Sequence, residues 1–127
     1  MSSTHTPVFG FQRLRVYGRG IAFVAKAIPL VDRLPRGYST LADQLRRAVT
    51  SIPLNIAEAT GRFGRDAAHF FAIARGSALE AAAVLDVVEI LVPDERQQIA
   101  DAREELVNVV NVLTALIRTH SQGRRQE

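Results

Sequence analysis

Four long stretches of this chain place an apolar residue every three or four positions. That repeat is the period of one helix face, and it limits the fold more than any other feature. From about Phe9 to Leu34 the residues Leu14, Tyr17, Ile21, Val24, Ile28 and Val31 recur at spacings of 3, 4, 3, 4 and 3. A parallel stripe of Phe23, Ala27, Leu30 and Leu34 widens that face. From about Leu41 to Thr60 the stripe is Leu41, Leu45, Ala48, Ile52 and Ile56. From about Glu95 to Thr119 it is Ile99, Ala102, Leu106, Val109, Leu113 and Leu116. The wet face of this last stretch is Gln97, Asp101, Glu104, Asn108, Asn111 and Arg118. No alternating strand pattern and no internal repeat appears.

The breaks are short and carry helix-stopping chemistry. Pro35 and Gly37 end the first stretch, and Ser39 or Thr40 can cap the second. Gly61 and Gly64 end the second, and Asp66 can cap the third. Asp94 with Gln97 fits reciprocal capping of the fourth. Pro29 and Pro53 fall inside helical patterns and predict kinks. Helices of some 20–26 residues are about 30–39 Å long. Joined by short loops they become antiparallel neighbours, so the expected fold is all-α, an up-and-down four-helix bundle. The 127 residues make one domain, with an ordered core over about 9–119 and flexible tails at 1–8 and 120–127.

The third stretch, about Ala67 to Leu91, is different. FFAIA, ALEAAAVL and VVEILV leave it almost no polar face. It reads as a central core helix or as a subunit interface. A four-helix bundle has no central position, which favours the interface. It is no membrane span, because Arg75, Glu80, Asp86 and Glu89 would be costly in lipid. Cysteine is absent, which removes disulfide and thiolate chemistry. The opening MSSTHTPVFGF lacks the basic-then-apolar order of a secretory signal, so a cytoplasmic location is expected.

Charge is unevenly placed. Residues 1–75 hold 11 basic and 4 acidic groups, whereas residues 76–127 hold 5 and 9. Such asymmetry suits a polyanion surface, or one half docking on the other or on a neighbouring subunit. Gln12, Arg15, Arg19, Lys26 and Arg33 fall on one face of the first helix, opposite the Leu14–Val31 stripe. From Arg15 to Arg33 the row spans about 27 Å, enough to track several phosphates. A solvated face, or pairing with acidic groups of a neighbour, explains the same row equally well.

A polar stripe of Arg47, Ser51, Asn55, Glu58 and Arg62 runs along the second helix, and Gly76, Ser77 and Glu80 lie on the third. A hairpin turning near residue 64 makes facing positions sum to about 128. Ser51 then faces Ser77 and Arg47 faces Glu80, with Gly76 letting the backbones approach. This reads as a buried network that fixes register rather than as a shared reactive site. If Arg47 and Glu80 pair, truncating either one costs roughly 3–5 kcal/mol.

Catalytic signals are poor. His5 and His120 lie in the expected tails, and Asp66 with His69 makes only one weak half of a bundle metal site. YGRG lacks the spacing and the Lys of a phosphate loop, and no nucleophile elbow is present. The reading is non-enzymatic, with no cofactor and no metal.

The two polar blocks, LRRAVTSIPLNIAE and IARGSALE, carry a resemblance over residues 9–118. Its positions are Arg46, Arg47, Ser51, Ile52, Pro53, Asn55, Ile56, Ala57, Glu58, Gly61, Arg62, Gly76, Ser77 and Glu80. The chain resembles the four-helix-bundle protein family of 23S rRNA intervening sequences, and the related accessory variability protein of diversity-generating retroelements. Ala59 stands where Gly is usual, and Gly64-Arg65 replaces a Ser-rich helix start. The resemblance implies a homopentamer. In its retroelement branch it implies binding of RNA or DNA and of a reverse transcriptase through basic surfaces. On that expectation Arg15, Arg19, Lys26 and Arg33 contact phosphates, with Arg46 and Arg62 as additions. The alternative is a bundle that assembles and docks a protein partner, with no nucleic-acid affinity of its own.

Overall fold

A computed structural model of the chain describes residues 8–122. Four α-helices follow one another: α1 Arg15–Val31, α2 Ser39–Thr60, α3 Gly64–Leu91 and α4 Arg96–Ser121. A 3-10 turn, Gly10–Arg13, precedes α1, and another, Pro93–Glu95, leads into α4. Each helix packs on the next and α4 closes on α1, so the bundle runs up and down in chain order. No strand occurs among the described residues. Of the expected tails, residues 1–7, His5 among them, and 123–127 lie outside the described residues. His120 and Ser121 extend α4.

The first helix is shorter than its periodicity predicts. Leu14 is extended, with φ −72° and ψ 130°, and separates the 3-10 turn from α1. The Gln12 side-chain oxygen accepts from the amides of Val8 and Phe9, each at 2.8 Å, and so holds the turn. Phe11 packs edge-on to Tyr17 at 4.9 Å, which folds the segment back on α1. At its far end α1 stops before Pro35, and Gly37 turns the chain with φ +97°, a value that suits only glycine. Helical geometry runs on through both Pro29 and Pro53.

The buried seam of α1 is not the Leu14–Val31 stripe. It is Val16, Gly20, Phe23, Ala27 and Leu30, joined by Val31. Tyr17, Val24 and Ile28 flank it, and Ile21 is 43% exposed. Gly20 faces α2 within this seam: an added Cβ would sit 3.4 Å from Ile52 Cγ2 and 3.7 Å from Pro53 and Ile56, ordinary contact distances. Phe23 and Leu30 on the same face are fully buried.

The other stripes hold. Leu45, Ala48, Ile52 and Ile56 of α2 are buried, as are Ile99, Ala102, Leu106, Val109 and Leu113 of α4. Helix α3 gives the core mainly alanine: Ala67, Ala74, Ala78 and Ala81, with Phe71, Leu85 and Val88. Small residues there let α2 and α4 close on either side of it. Its outer face is Ala72, Gly76, Leu79, Ala83, Val87 and Ile90, all exposed. No helix among the described residues is long and apolar enough to cross a membrane.

Candidate nucleic-acid interface

The cations of α1 do not form a free row. Glu105, on the inner edge of α4, is buried and accepts from two of them. Lys26 Nζ donates to its Oε2 at 2.8 Å and Arg19 Nη1 to its Oε1 at 3.3 Å. Arg33 Nη1 donates to Glu95 Oε2 at 3.0 Å, just before α4 begins. The sequence places no acid on the α1 face itself; the acids come from α4 and the 3-10 turn before it, some 60–90 residues later. The row is therefore largely an inter-helix clamp, and of its predicted cations only Arg15 lacks an ion-pair partner among the described residues.

The electrostatics of the clamp are cooperative. The hydrogen bond from Lys26, then that from Arg19, holds the Glu105 carboxyl below the usual carboxylate range, and burial opposes them only in part. The hydrogen bond to Glu105 in turn raises the Lys26 ammonium. A lowered carboxyl contributes stability above its unfolded value, near pH 4.3, and loses it as pH falls through the folded value. A raised ammonium loses its contribution only as pH rises past the ordinary lysine range. Glu105→Gln should therefore cost about 1–2 kcal/mol at neutral pH and flatten the acid limb of stability. The figure is kept low because the Lys26 and Arg19 side chains are 40% and 54% exposed. Urea titrations between pH 3 and 8 measure it; parallel wild-type and variant curves would show that the clamp carries no linkage.

The other two predicted phosphate ligands are also engaged. Arg46 bonds Asp43 at 2.9 Å. Arg62 donates Nε and Nη2 to Glu58 Oε2 at 3.0 and 2.8 Å and Nη1 to Asp66 at 2.9 Å. Its guanidinium lies 4.4 Å from the centroid of the Phe70 ring. Asp66 thus serves an arginine, and His69 is exposed beside Phe70. No cluster of three or more metal-ligating side chains occurs among the described residues.

The polar stripe of α2 meets α3 only in part. Ser77 Oγ donates to Ser51 Oγ at 2.8 Å, and Asn55 Nδ2 donates to both the Ser51 hydroxyl and carbonyl at 2.9 Å. Arg47 and Glu80 do not pair; both are exposed and line the same shallow groove of about 440 Å³ with Leu54. Gly76 does not serve the hairpin, since a Cβ there would meet nothing within 4 Å. Arg47→Ala and Glu80→Ala should each change unfolding of the isolated chain by less than about 0.5 kcal/mol, as surface changes do. Ser51→Ala, which removes the centre of a half-buried network, should cost about 1 kcal/mol. Denaturant titration separates the two classes.

Three cations that the sequence did not mark as phosphate contacts, Arg13, Arg65 and Arg118, lie with Arg15 and Arg62 toward one end of the bundle. There the start of α1, the α2–α3 turn and the last turn of α4 meet around a cavity of about 500 Å³. Residues 8–16, 56–72 and 117–122 carry five arginines, Arg13, Arg15, Arg62, Arg65 and Arg118, against two carboxylates. Both carboxylates, Glu58 and Asp66, are held by Arg62. Arg13, Arg15, Arg65 and Arg118 have no ion-pair partner among the described residues. The remainder, 17–55 and 73–116, has nine basic and ten acidic groups. Asp86 and Glu89 there are bridged by Arg103, and Glu89 also by Arg96. The excess of positive charge thus sits at one end rather than along α1. Each of these arginines lies within about two turns of a helix terminus at that end, a signal available only once the up-and-down order is known.

A bundle of four antiparallel helices, with a serine–asparagine seam between its second and third helices, defines a class of small all-α proteins. Residues 12–115 match the family described as 23S rRNA-intervening sequence protein, and the chain belongs to that family. Comparison with curated proteins finds no match.

Proposed function

We propose that this chain is a non-enzymatic, self-associating bundle that binds nucleic acid as a polyanion through the arginine-rich end. The observation that carries this reading is the cluster of four unpaired arginines, Arg13, Arg15, Arg65 and Arg118, at the only end with a clear cationic excess among the described residues. Among the described residues, the five carboxylates without an ion-pair partner, Asp32, Glu80, Asp94, Asp101 and Glu104, all lie elsewhere. Phosphates attract such a cluster and release their counterions on binding. Arg19, Lys26 and Arg33 would have to leave their α4 partners first, so they contribute less. Fluorescence anisotropy with a labelled oligonucleotide tests the reading: binding that weakens steeply with added salt is expected, and no binding at low salt would overturn it.

Self-association has its own support. The outer face of α3 is apolar and small over five turns, with Ile90 80% exposed and Gly76 open to a close approach. An exposed glycine within a helix costs about 0.5–1 kcal/mol relative to alanine, so a facing backbone gives it a purpose. We take this face as the contact between copies; a homopentamer is the number that the family resemblance implies. Ala83→Arg, at the centre of the stripe, should convert the assembly to monomers without loss of helix content. Light scattering after size exclusion reads the mass, and an unchanged mass would move the interface elsewhere.

A further inference from the structure

The arginine-rich end also exposes aromatic rings. Phe63, in the α2–α3 turn between Arg62 and Arg65, is 88% exposed and so packs on almost nothing. Phe9 is 62% exposed, and its ring stacks on Phe11 at 5.9 Å with an interplanar angle of 8°. The cavity beside them is walled by Phe9, Phe11, Leu14, Phe71 and Leu116, with Arg62 and His120 as its strongest polar groups. His120 Nδ1 lies 2.8 Å from the Leu116 carbonyl oxygen. A carbonyl only accepts, so Nδ1 carries a proton and donates it there. The volume of about 500 Å³ falls among small-ligand pockets.

Unpaired arginines beside open aromatic faces form a particular combination. Duplex phosphates need the cations but make no use of the rings, because paired bases stay stacked inside the helix. A purely apolar partner needs the rings but not the cations. Unpaired bases on a phosphate backbone use both. The outer face of α3 differs: Ala72, Gly76, Leu79, Ala83, Val87 and Ile90 are apolar, and the exposed charges beside them, Glu80 and Asp86, are acidic, which suits a second copy and not a polyanion.

We infer that this end of the bundle binds single-stranded nucleic acid, with Phe63 and Phe9 stacking on bases while Arg13, Arg15, Arg65 and Arg118 hold phosphates. The cavity that Phe9 walls receives an unstacked base against Phe71 and His120. This deepens the polyanion reading above and rests on it.

The test uses the full chain and a fluorescein-labelled single strand long enough to cover a site of ~4–16 nucleotides, with its duplex as comparison. The single strand should bind more tightly than the duplex. Phe63→Ala and Phe9→Ala should each lower single-strand affinity by about 5–150-fold, the worth of one base stack, and leave duplex affinity unchanged. Phe63→Leu should behave like Phe63→Ala, because leucine keeps apolar surface but has no π face. Full affinity in Phe63→Leu alongside weakened Phe63→Ala would indicate simple apolar contact and overturn stacking. Equal affinity for both strands, untouched by either phenylalanine change but lost with the arginines, would overturn this inference and leave the polyanion reading standing. No binding to either strand would overturn both.

Discussion

Phe23→Ala should destabilise the chain by about 3–5 kcal/mol, whereas Ile21→Ala should cost less than about 1 kcal/mol. Phe23 is completely buried, and Gly20 one turn before it faces Ile52, Pro53 and Ile56 of α2. A cavity left there cannot close easily, because Ala27 and Ala48 nearby are already small and buried. For a chain of this length the loss lowers the melting temperature by on the order of 10–20 °C. Thermal and urea unfolding of both variants measure the contrast. A reversed order, with Ile21 the costlier, would mean that α1 is rotated toward the stripe its hydrophobic spacing suggests.

That contrast marks where the sequence is readable. The number of helices, most of their boundaries within a few residues and the breaks at Gly37, Gly61 and Pro93 follow from local chemistry. But α1 starts at Arg15 rather than near Phe9, and α2, α3 and α4 follow Tyr38, Phe63 and Glu95 without the side-chain caps expected at Ser39 or Thr40, Asp66 and Asp94. The phase of α1 follows only in part: Phe23, Ala27 and Leu30 of the parallel stripe are buried, whereas the longer Leu14–Val31 stripe is not the seam. Its seam runs through Gly20 and Ala27, which score weakly as apolar, while Leu14 and Ile21 score strongly and remain near solvent. A close approach rewards small residues, and hydrophobic periodicity weights large ones. The hairpin sum of 128 behaves similarly. It sets Ser51 level with Ser77, whose short side chains meet in the seam. It also sets Arg47 level with Glu80, but both project from the flanks of their helices and miss each other. Level is legible from spacing; direction needs the rotation of each helix.

The candidate site was less legible because its electrostatics are non-local. The basic row on α1 is easily seen, yet Glu105 and Glu95, which engage it, come from another helix. Glu105 sits between the core stripe and the wet face of α4, beside Leu106, and belongs to neither pattern. Arg13, Arg65 and Arg118 are unremarkable one by one. They gain a common field only when three helix termini are brought to one end.

Removing that field should have the largest effect on binding. Each phosphate neutralised on duplex DNA adds about 0.9 to the slope of log affinity against log salt, and about 0.7 on a single strand. Arg13→Ala, Arg65→Ala and Arg118→Ala together should therefore flatten the single-strand slope by about 2. At low salt they should weaken affinity by on the order of a hundredfold or more. All three side chains are exposed and unpaired, so helix content and assembly should persist. The comparison is Lys26→Ala with Arg33→Ala, which breaks two ion pairs to α4 and should reduce stability while leaving the slope nearly as it was.

The most direct test is that salt series, run by anisotropy on the wild type and both variants with the same labelled single strand, after light scattering has shown equal assembly. The end variant should flatten the slope and the α1 variant should keep it. A slope lost in the α1 variant and kept in the end variant would contradict the arginine-end reading, returning the phosphate contacts to the first helix.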